Sequence, residues 1–452
     1  MTTAMDPKTQ RKNVVSAGIA STLGWAMDLY DLLILLYVAA VIGPLLIPSD
    51  SPTLQLAFVY ASFAVTLMMR PLGSALFGSY ADRKGRKKAM LIAITGVGIS
   101  TALMGAVPTF ETAGYIAPIV FVALRLLQGI FVGGVVASTH TLGTETVAPQ
   151  HRGLMSGIIA GGGAGIGAIA ASIAFLIISS IFPGEQFAIW GWRMMFFTGI
   201  LTCGISFLVY TKTAESPLWK EEEEGAPRQK SPVRVLFSKD YLSVFLMNVM
   251  LVSGGASLYY LTVGFFPTYF GKVIGMSNAS SSIALIIVNI FVILGALLGG
   301  SMSDKIGRRK VFLYFGIPMI VLGPGLYLAL GSFAPEQAIL VTVVASIMAF
   351  VMIAAQAPVL IFLNERFPTK IRATGTSLSW NVGFAVAGMM PTLVASLSPE
   401  ISDFTSRAAV LTFIMSVVLV IAALLLGETK HLGLRDDVHA EPQTDTQVSS
   451  NA

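Results

Sequence analysis

Twelve apolar runs, each long enough to cross a bilayer, fill most of this 452-residue chain. About 20 apolar residues span the hydrocarbon core. The runs fall at about 15–44, 54–80, 89–107, 115–139, 153–181, 191–211, 241–270, 281–303, 311–331, 338–363, 373–397 and 406–427, numbered here as spans 1 to 12. Lipid offers no hydrogen bonds to an exposed backbone, so segments of this length fold as helices. Only 12% of the residues are charged and mean hydropathy is +0.76, whereas soluble domains carry about 25% charged residues. The expected fold class is an all-α membrane protein with twelve transmembrane helices.

Charge sets the orientation. Of 29 Lys and Arg residues, 24 lie in segments on one side of the spans and three (Arg193, Lys272, Arg407) on the other. The positive-inside rule then predicts that both termini face the cytoplasm. The net charge of +5 reports this topology and gives no reason to expect nucleic acid. Cys203 is the single cysteine, which excludes an intrachain disulfide. The polar, basic first 14 residues precede an apolar run too long for a signal-peptide core, which reads as an uncleaved first span.

The chain divides in two. Residues 212–240, with Glu221–Glu224, Pro227, Arg228 and Lys230, read as a solvated cytoplasmic linker. They separate a six-helix bundle at 1–211 from a second at 241–432, and a polar tail at 433–452 reads as disordered. A repeat supports the split: residues 78–87 are GSYADRKGRK and residues 300–309 are GSMSDKIGRR, each closing the second span of its half. A weaker echo relates Glu145, Pro149 and Arg152 to Glu365, Pro368 and Arg372, after the fourth span of each half. Two such halves with binding at their interface are how one large class of transporters is built.

Four ionisable residues lie inside spans, all in the first half: Asp28, Asp31, Arg70 and Arg125. Charges at membrane depth cost at least about 2.5–3.5 kcal/mol and usually face each other or a water-filled cavity. Asp28 and Asp31 share a helix face. Counting 1.5 Å per residue puts Asp28 and Arg125 both about 20 Å from the inner surface. Two carboxylates so close do not both ionise freely in low dielectric, and an adjacent guanidinium opposes that effect. The cluster therefore reads as a proton-coupling site, with Asp28 or Asp31 as carrier and Arg125 as switch. Arg70 and Arg125 are the expected carboxylate contacts. A structural ion pair joining spans 1 and 4 is the alternative reading. No ionisable group lies at depth in the second half, so Tyr259, Gln356 and Asn381 are its expected substrate contacts. Gly157, Gly161, Gly162, Gly163, Gly165 and Gly167 in span 5 read as close helix packing.

The Gly-x3-Asp-(Arg/Lys)-x-Gly-Arg-(Lys/Arg) motif, present twice, resembles the signature of the major facilitator superfamily. Narrower features are similar to the metabolite:proton symporter family. They include Tyr30-Asp31, Arg70-Pro71-Leu72-Gly73, Arg125-Leu-Leu-Gln128-Gly129 with Gly133-Gly134, Tyr259-Tyr260 with Pro267-Thr268-Tyr269, and Glu365-Arg-Phe-Pro368 with Trp380-Asn381. The family usually has Glu where this chain has Val135, and Glu in place of Asp28. The resemblance implies proton-coupled uptake of a small organic acid by alternating access. The short loops and tails read as those of a bacterial inner-membrane protein, and a monomer with no cofactor or metal is expected. The resemblance also implies that Asp82, Arg83, Arg86, Glu145 and Arg152, with Asp304, Arg308, Glu365 and Arg372, form a cytoplasmic gate. Echoes of sugar porters, Glu215-Ser216-Pro217 and Glu428-Thr429-Lys430, rank a sugar, polyol or compatible solute as the alternative substrate. An enzyme or pump is not expected. The four histidines lie at or beyond the span ends and no Gly-x4-Gly-Lys-(Ser/Thr) run occurs.

Overall fold

The computed structural model describes residues 7–84, 86–145, 147–202, 204, 235–368 and 371–432. The linker expected at 212–240 lies mostly outside them and the tail at 433–452 wholly so. The described secondary structure is helical throughout. Spans 1 to 4 are Pro7–Leu46, Pro52–Lys84, Arg86–Gly105 and Ile116–Glu145. Span 5 runs from Arg152 to Ile181, and span 6 begins at Trp192–Phe197. Span 7 is Lys239–Leu261 with a broken continuation to Ile274; spans 8 and 9 are Asn278–Ile306 and Arg308–Leu330. Span 10 is Ala338–Gln356 plus Val359–Glu365, span 11 Arg372–Gly388 plus Met390–Ser396, and span 12 Phe404–Leu425. Ten of these helices are long and apolar enough to cross a membrane, and Leu91–Gly105 is a shorter apolar one. Large aliphatic side chains such as Val321 and Ile339 are exposed, as expected where lipid is the solvent.

Three local irregularities shape the interior. In span 5 the backbone widens over Gly157–Gly162 into a turn with one extra residue per hydrogen-bonded loop, a feature that concentrates at functional sites. Span 7 loses regular geometry after Leu261, and Gly275 (φ 83°) takes the left-handed conformation that closes its continuation. Span 10 breaks at Ala357 and Pro358, where proline cannot donate the helical hydrogen bond.

Glycines set the closest approaches. Spans 2 and 4 pack backbone to backbone, because a Cβ on Gly73, Gly129 or Gly133 would strike the carbonyl oxygen of Ile130, Thr66 or Arg70. Spans 5 and 8 meet across the two halves in the same way, with Gly157 against the Ala296 carbonyl and Gly161 against its side chain. The span ends form two faces. A terminal face holds the start of span 1, the span 8–9 turn and the end of span 12; an opposite face holds the span 1–2 and 7–8 turns.

Candidate functional site

A cavity lies between the halves near mid-span. The first half contributes Trp25, Asp28 and Leu29 from span 1, Arg70 from span 2, and Ala160, Gly161 and Ala164 from span 5. The second half contributes Tyr259, Ile353, Gln356, Ala357, Leu360, Trp380 and Phe384. Its walls are aromatic: Trp25 meets Trp380 edge-on at 5.6 Å, and Trp380 stacks on Phe384 at 4.3 Å. The wide turn of span 5 supplies the small residues that leave room for it.

One ion pair stands in this cavity. Arg70 Nη2 donates to both oxygens of Asp28, at 3.1 and 3.2 Å, with the arginine 2% exposed. A guanidinium has five donors, and Nε of Arg70 has no partner among the described residues. The Tyr259 hydroxyl, Gln356 Oε1 and Trp380 Nε1 are likewise buried without one. The cavity therefore gathers unused hydrogen-bonding groups around a charged pair.

A second polar network fills the core of the first half, away from the cavity. Asp31 accepts from Thr202 Oγ1 at 2.9 Å, and Tyr30 donates to Thr198 Oγ1 at 2.6 Å. Arg125, fully buried, donates from Nη1 to Gln128 Oε1 at 2.7 Å, and Gln128 Nε2 donates on to Thr101 at 2.7 Å. Arg125 also lies over the Phe121 ring at 5.7 Å. Asp31 and Arg125 do not form an ion pair with each other.

The expected cluster is thus divided. Asp28 pairs with Arg70 and not with Arg125, and neither Asp31 nor Arg125 lines the cavity. Equal depth placed Asp28 beside Arg125; the direction of each side chain around its helix decides otherwise. Arg70, Tyr259 and Gln356 do line the cavity. Asn381 does not: its Nδ2 faces Ser74 and Ser377 at 3.4 and 3.3 Å, across the span 2–11 seam. Sequence reasoning missed Trp25 and Phe384. Trp25 could have been found by its i, i+3 spacing to Asp28.

At the terminal face, Asp304 crosses between the halves. Its carboxylate accepts the backbone N–H groups of Gly153 and Leu154, both at 2.8 Å. These N–H groups open a helix and have no partner within it. Arg308 holds Asp304 at 2.9 Å and Glu365 at 3.0 Å. Thr429 donates to Glu365 at 2.6 Å, while Glu428 caps the N–H groups of Arg308 and Arg309 at 2.9 and 3.1 Å. Arg372 Nε donates to the carbonyls of Asn364 and Phe367 at 3.0 and 3.3 Å. Arg152 is the first residue of the capped helix. The side chains of Asp82, Arg83, Arg86 and Glu145 lie outside those described. At the opposite face Tyr60 donates to Thr268 at 2.6 Å, and Phe63 meets Tyr260 edge-on at 5.1 Å. The halves therefore touch on both sides of the cavity.

Comparison with known proteins fits this architecture. The chain is 28% identical over 426 residues to the inner membrane metabolite transport protein YhjE of Escherichia coli, covering 92% of this chain and 94% of that one. It is 28% identical over 436 residues to the proline/betaine transporter of E. coli, covering 92% and 84%. Among solved structures it resembles the proton:xylose symporter XylE bound to 6-bromo-6-deoxy-D-glucose, with a TM-score of 0.73 at 18% identity, covering 93% and 97%. That likeness is one of fold. The family model of the Major Facilitator Superfamily matches residues 14–391. A multi-pass membrane protein with this match is a transporter, and the chain belongs to the Major Facilitator Superfamily.

Proposed function

We propose that the protein couples an inward proton gradient to uptake of a small organic acid, with both termini in the cytoplasm of a bacterial cell. The observation that carries this reading is Arg70, held in the inter-half cavity by Asp28 with donor capacity to spare. A substrate carboxylate competes with Asp28 for that guanidinium, as a planar, bidentate acceptor. Gln356 and Tyr259 hydrogen-bond the rest of the solute. Asp31 carries the coupled proton, out of the substrate's reach, and Arg125 stabilises its ionised form once the proton leaves. Asp304, Arg308 and Glu365 latch the cytoplasmic side. The chain acts as a monomer.

A second reading is supported equally: a zwitterionic compatible solute. Trp25, Trp380 and Phe384 stand beside Asp28, and aromatic faces attract quaternary ammonium groups. A relative is named a proline/betaine transporter. Sugars rank behind both, because the cavity centres on an ion pair.

The test is uptake into proteoliposomes under an imposed pH gradient, with and without a protonophore, against mono- and dicarboxylates, betaines and pentoses. Protonophore-sensitive accumulation of a carboxylate supports the first reading. Accumulation of betaines alone supports the second, and uptake indifferent to the gradient removes proton coupling from both.

A further inference from the structure

Three helices of the second half repeat one arrangement. Each carries a cavity residue and, nearer the terminal face on the same stripe, a buried polar group with unmet hydrogen-bonding capacity. In span 7, Tyr259 lines the cavity and Gly255 faces Gln356. Asn248 lies seven residues before Gly255, two turns down the same face. It is fully buried, and neither Oδ1 nor Nδ2 has a partner among the described residues. In span 10, Leu360 lines the cavity and Asn364 follows four residues on, 1% exposed, with Oδ1 unpartnered. In span 11, Trp380 lines the cavity and Thr376 stands four residues before it, buried, with its hydroxyl unpartnered. The three helices contact one another.

An unsatisfied buried amide destabilises the state that contains it, and an apolar residue of similar shape would not. These positions are therefore poorly suited to the closed arrangement alone. We propose that Asn248, Asn364 and Thr376 line a release track between the cavity and the terminal face. They become wetted, and hydrogen-bond a passing polar solute, when the halves part at that face. Two contacts hold the track shut. Ser156 donates to the Ala357 carbonyl across the halves at 3.1 Å. Glu365, next to Asn364, is tied through Arg308 to Asp304. Opening the latch thus frees the helix end that carries the track. The inference rests on transport by this chain and not on which solute it carries or whether protons drive it.

The test is alkylation by N-ethylmaleimide of the purified full-length protein with Cys203→Ser. Single cysteines are placed at Asn248, at Thr376 and, as a control, at Leu251, a buried position on span 7 one turn before Gly254, which packs on Leu419 of span 12. Asp304→Asn weakens the latch, and labelling at 248 and 376 is expected to rise about tenfold while 251 stays slow. No rise at 248 and 376, or an equal rise at 251, overturns the proposal. A second variant needs no cysteine: Asn248→Leu is expected to raise the unfolding midpoint yet slow uptake several-fold. Unchanged uptake in that variant also overturns it.

Discussion

Asp28 and Asp31 sit one helical turn apart on span 1, yet each belongs to a different network. Asp28 turns into the cavity and is held by Arg70 at 3.1 Å, whereas Asp31 turns into the first-half core and accepts from Thr202 at 2.9 Å. Helix geometry permits this, since residues three apart diverge by about 60° around the axis. One carboxylate lines the cavity between the halves, and the other is buried in the polar network of the first half.

The Asp28–Arg70 pair gives the first prediction. Arg70→Gln leaves a buried carboxylate without its partner, and breaking such a pair costs about 3–5 kcal/mol. The unfolding midpoint in detergent is expected to fall clearly. Adding Asp28→Asn removes the uncompensated charge and should recover much of the loss, while uptake stays absent in both variants. If the double variant melts as low as the single one, the pair is not what holds these helices.

Proton coupling is tested by Asp31→Asn and Asp28→Asn, separately. With Asp31→Asn, uptake-linked alkalinisation is expected to fall to background while substrate counterflow persists, because the cavity is untouched. With Asp28→Asn, counterflow itself changes, since Arg70 loses its internal competitor. Undiminished proton uptake in both variants would remove the carboxylates from the coupling mechanism.

Much of this molecule was legible before any coordinates, for physical reasons. Apolar length is a one-dimensional signal, so the membrane-spanning helices could be read directly. Residue depth is also one-dimensional, and it put Asp28 level with Arg125, whereas Asp28 shares the cavity with Arg70, Tyr259 and Gln356. Azimuth is not. Whether Asp28 faces span 2 or span 4 depends on helix rotation and on the Gly73, Gly129 and Gly133 contacts that draw spans 2 and 4 together. Asn381 failed as a cavity residue for the same reason, being one position past Trp380, which does line it. The Asp304 contact with Gly153 and Leu154 joins residues about 150 apart through backbone groups, and no side-chain pattern announces that.

Glycine contacts separate stability from transport. Gly73→Ala drives a methyl group into the Ile130 carbonyl inside the first half, and overpacking costs about 1–3 kcal/mol or more. The expected outcome is a lowered melting point and poor yield. Gly157→Ala drives one into the Ala296 carbonyl between the halves. There the halves can part to relieve the clash, so the melting point should change little while uptake falls. Equal destabilisation by both would show that spans 5 and 8 form a rigid core and not a moving seam.

The two faces should respond in opposite directions. Tyr60→Phe removes one neutral hydrogen bond across the halves at the opposite face, worth about 0.5–1.5 kcal/mol. Asp304→Asn weakens two hydrogen bonds to a carboxylate at the terminal face, each worth about 1.5–3 kcal/mol. The second change should therefore move the conformational balance further than the first. Spin labels at Gln150 and Lys430 report separation at the terminal face, and labels at Asp50 and Asn278 report it at the other, all four being exposed. Asp304→Asn is expected to lengthen the first distance and leave the second unchanged or shorter. Tyr60→Phe should do the reverse, more weakly. Lengthening of both distances by either variant would mean the contacts on the two sides of the cavity are not alternatives, and the latch reading of Asp304 would fail.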